Sequence, residues 1–187
     1  MLLNNIIYKK NFAFIDGQNL YQSIKEQNWI LDYRRFRVYL NEKYNISKAF
    51  IFIGYLPENQ TLYTELKKCG YILKFKPVLH KVDHIKQGNV DADLVLNIMR
   101  YYNEYDKAVI VSSDGDFDTT VSYLKRKSKL EIVLSPNFNK CSALLKIAAQ
   151  DKIDFINNFK SKVEHKSISS VNEKAPLEDD TSRSALS

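Results

Sequence analysis

The 187-residue chain holds only two cysteines, Cys69 and Cys141. They lack metal-ligand spacing, which excludes a disulfide framework or a cysteine-based zinc site. They read as buried thiols in a reducing compartment. Glycine (5) and proline (4) are scarce, and nothing repeats at a fixed period. No apolar run approaches the roughly 18 residues of a membrane span. The stretch Met1 to Lys10 is short and broken by Asn4 and Asn5, so it does not read as a secretory signal. The expectation is a cytoplasmic protein that does not engage a membrane.

What is present suits one globular domain: 44% hydrophobic residues, 27% charged, 12 tyrosines and 10 phenylalanines. Net charge is +6. From Lys160 onward, five basic residues (Lys160, Lys162, Lys166, Lys174, Arg183) balance five acidic ones (Glu164, Glu173, Glu178, Asp179, Asp180). The excess therefore belongs to the part before residue 160. A basic domain points to an anionic partner, nucleic acid first, although lysine richness alone gives the same charge. Apolar content collapses near Ser161. The expected organisation is a folded domain over 1–159 and a disordered polar tail over 160–187.

Short apolar runs alternate with helical patterns. Strands are expected at Phe12–Ile15, Ala49–Tyr55, Tyr71–Phe75 (limited by Pro77), Lys107–Ser112 and Glu131–Leu134. Helices are expected over Asn19–Gln27, Tyr33–Tyr44, Glu58–Cys69 (closed by Gly70), Val90–Glu104 (capped by Asn89), Asp116–Lys127 and Lys140–Ala149. A further short element is expected within Ile153–Phe159. His80 to Gly88 reads as a solvated loop; His80, Asp83 and His84 have no second cluster to make a metal site. Strands alternating with helices give the α/β class with a mainly parallel sheet.

The chemistry concentrates in Ser112-Ser113-Asp114-Gly115-Asp116-Phe117-Asp118, which follows the apolar run Ala108–Val111. Two carboxylates about 4 Å apart repel by roughly 4 kcal/mol at an effective dielectric near 20. Carboxylates gathered at the end of a buried strand are usually neutralised by a cation or by shared protons. Asp16-Gly17-Gln18-Asn19 repeats the pattern of strand, carboxylate, glycine and helix start. On the helix expected over Val90–Glu104, Asp91 falls on the stripe of Leu94, Val95 and Ile98, whereas Asp93 faces away. In parallel sheets the ligand site lies beyond the carboxyl ends of the strands, at a topological switch point. Asp16, Asp91, Asp114 and Asp116 can meet there. Hard cations such as Mg²⁺ suit such oxygen ligands.

Three blocks then resemble a known family: Phe14-Ile15-Asp16-Gly17-Gln18-Asn19-Leu20, Lys86-Gln87-Gly88-Asn89-Val90-Asp91 and Ser112-Ser113-Asp114-Gly115-Asp116-Phe117. They look like the signatures of NYN-domain proteins of the PIN-like nuclease superfamily. Pro136-Asn137-Phe138-Asn139-Lys140-Cys141-Ser142 is similar to the bacterial LabA-like branch. The resemblance spans about residues 10 to 158. It implies a compact three-layer α/β/α fold and an endoribonuclease that cleaves RNA with Mg²⁺- or Mn²⁺-activated water. Asp16, Asp91, Asp114 and Asp116 would be the metal-binding and catalytic carboxylates. Asn19, Ser113, Asp118 and Lys86 would support them or meet the substrate. The basic candidates for the RNA backbone are Lys86, Arg34, Arg35, Arg37, Lys125, Arg126, Lys127, Lys140 and Lys146. Assembly into a homo-oligomer stays open.

Two rival readings have some footing. Asp116-Phe117-Asp118-Thr119-Thr120 matches the haloacid-dehalogenase phosphatase pattern. However, Ser112 to Gly115 separate it from its strand, and the downstream acidic pair it needs falls at Asp179-Asp180. A calcium EF-hand loop from Asp114 fails at Thr119 and Lys125, where glycine and glutamate are required. The alternative function is a non-cleaving RNA- or protein-binding module on the same fold.

Overall fold

Apolar residues on both faces of β1 (Asn11–Asp16) bury all six of its positions, as expected for the middle of a sheet covered on both sides. A computed structural model describes residues 10–81, 84–87 and 90–166. After β1 come α1 (Gly17–Lys25), α2 (Tyr33–Tyr44), β2 (Ile46–Tyr55), α3 (Gln60–Lys68), β3 (Tyr71–Lys81), β4 (His84–Gln87) and α4 (Val90–Arg100). The chain continues through β5 (Ala108–Val111), α5 (Asp118–Arg126), β6 (Leu130–Ser135), α6 (Ala143–Ala149), β7 (Ile153–Phe155) and α7 (Lys160–Val163). Single 3₁₀ turns at Pro57–Asn59, Gly115–Phe117 and Ile156–Phe159 lead into α3, α5 and α7.

The strand order is β4-β3-β2-β1-β5-β6-β7. Six strands are parallel, and β4 pairs antiparallel with β3. Strand periodicity divides the core. Ala13 and Ile15 face Leu20 and Ile24 of α1 and Phe36 and Leu40 of α2. Phe12 and Phe14 face Leu94 and Ile98 of α4, Val121 of α5 and Leu145 of α6. Phe14 stacks on Phe50 at 5.5 Å, and Phe50 on Tyr101 at 4.9 Å. This is the α/β/α arrangement expected from the sequence.

The chain leaves β1 for β2 on one side and later returns to β5 on the other, so the switch point lies between the carboxyl ends of β1 and β5. Asp16 ends β1, and Asp114 follows β5 by three residues. Asp16 shares the parity of Phe12 and Phe14, which directs it to the face covered by α4.

The structure corrects four local expectations. β3 runs through Pro77 to Lys81. Pro77 stands opposite Tyr55, the last residue of β2, and pairing with β4 begins only at Val78, so the missing N–H falls at a ladder's end. His80 and His84 to Gln87 belong to that β3–β4 hairpin rather than a loop; Asp83, Gly88 and the expected cap Asn89 lie outside the described residues. The helix from Val90 ends at Arg100, four residues early, and the chain turns so that Tyr105 can pack between Phe12 and Phe14. Ordered packing passes residue 159: Val163 of α7 is fully buried and Glu164 bridges Leu31. Nothing local marks this, since Val163 is an isolated apolar residue in a polar stretch.

Candidate metal centre

The last residue of β1 is held from two directions. Asp16 caps α1, with Oδ1 accepting the Asn19 N–H at 3.0 Å. Its Oδ2 accepts the Ser112 hydroxyl at 3.4 Å. The Ser112 Oγ in turn accepts the Asp114 N–H at 3.1 Å. One serine therefore ties the ends of β1 and β5 together. Asn19 makes a second tie, its Oδ1 accepting the Ser113 N–H at 2.9 Å. The Ser113 and Ser135 hydroxyls lie 2.9 Å apart, which anchors the loop to β6.

Gly17 makes the close approach possible. A Cβ there would stand 2.9 Å from both the Ile51 side chain and the Phe52 carbonyl oxygen. Gly115 serves the same purpose after β5, since a Cβ would fall 2.5 Å from the Ser142 hydroxyl. The glycine between Asp114 and Asp116 thus lets the start of α6 close over the loop. Asp114 caps the 3₁₀ turn by accepting the Asp116 N–H at 3.0 Å. That bond curls the chain so that the two carboxylates face one way.

Asp91, Asp114 and Asp116 each offer a carboxylate oxygen within 4.8 Å of the others. Asp91 and Asp114 are half-buried and Asp116 is exposed. Burial raises the Asp91 carboxyl above its ordinary range, and the charges of Asp114 and Asp116 raise it further. Asp16 stands behind this trio and is only 6% exposed. Burial pushes its carboxyl up to about 6; the Asn19 N–H and the Ser112 hydroxyl oppose the shift, and the charges of Asp91 and Asp114 add to it. The donor set is all carboxylate, hard and negative, and its members disfavour one another's charge. That is the chemistry a divalent cation relieves.

A cleft of about 510 Å³ opens beside the trio, lined among others by Asn19, Glu26, Ser113, Asp114, Asp116 and Lys140. Lys140 reaches Glu26 at 2.8 Å on its rim. Among the described basic candidates, Lys140 is the one that lines this cleft. Arg35 pairs with Asp32, Arg37 donates to the Gly70 and Ser47 carbonyls, and Arg34 lies with them on α2. Lys125 pairs with Asp151, while Arg126 and Lys127 sit at the far end of α5. Lys146 lies over the Phe138 ring. Lys86 is placed by its backbone alone, in β4 opposite Leu79. Asp118 turns to the N–H and hydroxyl of Thr119. Sequence reasoning missed Ser112, Glu26 and Ser142 as parts of the site. The Ser112-Ser113 doublet was the available signal for the first, and the Pro136–Ser142 block for Ser142; nothing local marks Glu26.

The family model of the NYN domain matches residues 12–157. The chain belongs to the NYN-domain family. The expected membership of the NYN family is thereby borne out. A relative of this NYN chain is the low amplitude and bright protein LabA of Synechococcus elongatus, 26% identical over 132 residues, which cover 65% of this chain and 71% of that protein. A solved structure of a Vibrio parahaemolyticus protein of unknown function matches with a TM-score of 0.67 at 20% identity, covering 85% of this chain and 98% of the other. That likeness concerns the fold. Among the described residues of the NYN chain, no helix is long and apolar enough to cross a membrane.

Proposed function

We propose that the chain is a Mg²⁺- or Mn²⁺-dependent endoribonuclease whose metal carboxylates are Asp91, Asp114 and Asp116, with Asp16 completing the acidic site from behind. The observation that carries this reading is the convergence of three carboxylate oxygens within 4.8 Å at the switch point of the sheet. Membership of the NYN family supports it. A divalent cation held there supplies Lewis-acid polarisation of a phosphoryl oxygen and lowers the pKa of water. The chain's own contribution is placement. Ser112 fixes the Asp16 carboxylate relative to the Asp114 backbone, and Asn19 fixes Ser113, so the carboxylates need little rearrangement when substrate arrives. Lys140 provides positive charge on the cleft rim for a phosphate of the RNA backbone.

The test is incubation of purified protein with RNA and with DNA in the presence of Mn²⁺, beside Asp114→Asn. RNA cleavage by the parent and not by the variant is the expected result. Binding of RNA by both proteins without cleavage would replace the nuclease by a binding module. Cleavage of DNA alone would correct the substrate.

A further inference from the structure

On the face of the sheet covered by α1 and α2 lies an apolar groove of about 450 Å³, away from the acidic cluster. Leu20 and Ile24 of α1 form one wall, and Trp29, Ile30, Leu31 and Tyr33 form the other. Ile30 is 69% exposed, a large cost for an isoleucine beside a hollow of this kind. The described chain ends at this groove. The His165 N–H donates to the Ile30 carbonyl and the Asp32 N–H to the Val163 carbonyl, both at 2.8 Å, and Leu31 and Glu164 form an antiparallel bridge. Pairing of this sense points the end of the described chain back toward Trp29, on the groove's wall. Lys160 lies over the Trp29 ring at 5.5 Å and holds α7 against the same residue.

We propose that the segment from Ser167 to Val171 occupies this groove, with Ile168 as its anchor. Ile168 lies four residues beyond Glu164, so in extended chain it takes the face of Leu31, which lines the groove. Three residues past His165 span about 10 Å, enough to reach the hollow. Ile168 and Val171 are the apolar residues of a stretch otherwise made of serine (Ser167, Ser169, Ser170), whose small side chains do not hinder entry. The described chain begins on the opposite face, at Lys10, whose N–H and carbonyl are both bonded to Asp106, next to Tyr105 in the core there.

Trp29 is the chain's single tryptophan, so its fluorescence reports on the groove without ambiguity. Ile168→Asp combined with Val171→Asp, made in the full chain, should raise acrylamide quenching of Trp29 about twofold and shift its emission to the red, as covered ring surface becomes wet. A nuclear Overhauser contact between the Ile168 methyls and the Trp29 indole or Ile24 methyls should be present in the parent. Neither substitution alters a residue of the described core, so the melting curve stays cooperative. Unchanged quenching together with no such contact would overturn the proposal. So would quenching that falls as protein concentration rises, with a sedimenting dimer, regardless of the tail substitutions; that would assign the groove to a second copy.

Discussion

Replacing Asp16 by asparagine should stabilise the metal-free protein at neutral pH while removing part of its site. The folded carboxyl titrates near 6 against 3.8 for the free side chain. A raised folded pKa means the native state binds the proton more tightly than the unfolded one. Stability from this group therefore falls as pH rises through the interval from about 4 to about 6, and the full penalty is present above it. Its size is about 3 kcal/mol. Asparagine keeps the shape and can still accept the Asn19 N–H, and its amide can donate to the Ser112 Oγ, which has a second lone pair. It gives up the charge at the start of α1 and the charge assistance of its bonds, together about 1–2 kcal/mol. The net gain is about 1–2 kcal/mol, or about 3–6 °C in Tm for a chain of this size. Thermal melts of parent and Asp16→Asn in EDTA at pH 7.5 and pH 4 check this. The gain should appear at pH 7.5 and vanish or reverse at pH 4, and saturating Mn²⁺ should narrow it by stabilising the parent. A variant that melts lower than the parent at pH 7.5, or a gain of equal size at both pH values, would show that the Asp16 charge is not the source of the penalty.

Other outcomes follow from the same geometry. Ser112→Ala unties Asp16 from the Asp114 backbone and should lower Mn²⁺ affinity or cleavage about 10- to 100-fold without moving RNA binding, measured by calorimetry and filter binding. Gly17→Ala drives a methyl into the Ile51 side chain and the Phe52 carbonyl oxygen and should cost about 1–3 kcal/mol in urea denaturation. Lys140→Ala should weaken RNA binding and reduce the salt slope of log K by about one, while leaving Tm nearly unchanged.

The buried strands were readable because both faces of this sheet are covered. Phe12-Ala13-Phe14-Ile15 and Ala108–Val111 are apolar without interruption, so their burial needed no partner to be known. The aspartates were readable for the opposite reason: charges at the ends of such strands oppose folding and stand out. What escaped notice depends on tertiary neighbours. Pro77 breaks a strand in general but not where β2 stops opposite it. Ser112 is an ordinary serine until β1 brings Asp16 to it. Val163 becomes core only because α7 returns to α2. The basic residues were the least legible. Charge on a helix surface carries no address, and of nine candidates, Lys140 is the described one that meets the cleft.

The proposed nuclease requires that Asp91, Asp114 and Asp116 together hold a divalent cation. Calorimetric titration of the full chain with Mn²⁺ at pH 7 tests it most directly, beside the same titration of Asp91→Asn with Asp114→Asn. Saturable uptake by the parent, weakened at pH 5 as the raised carboxyls take up protons and lost in the double variant, is the expected result. No uptake by the parent, or uptake unchanged in the double variant, would contradict it.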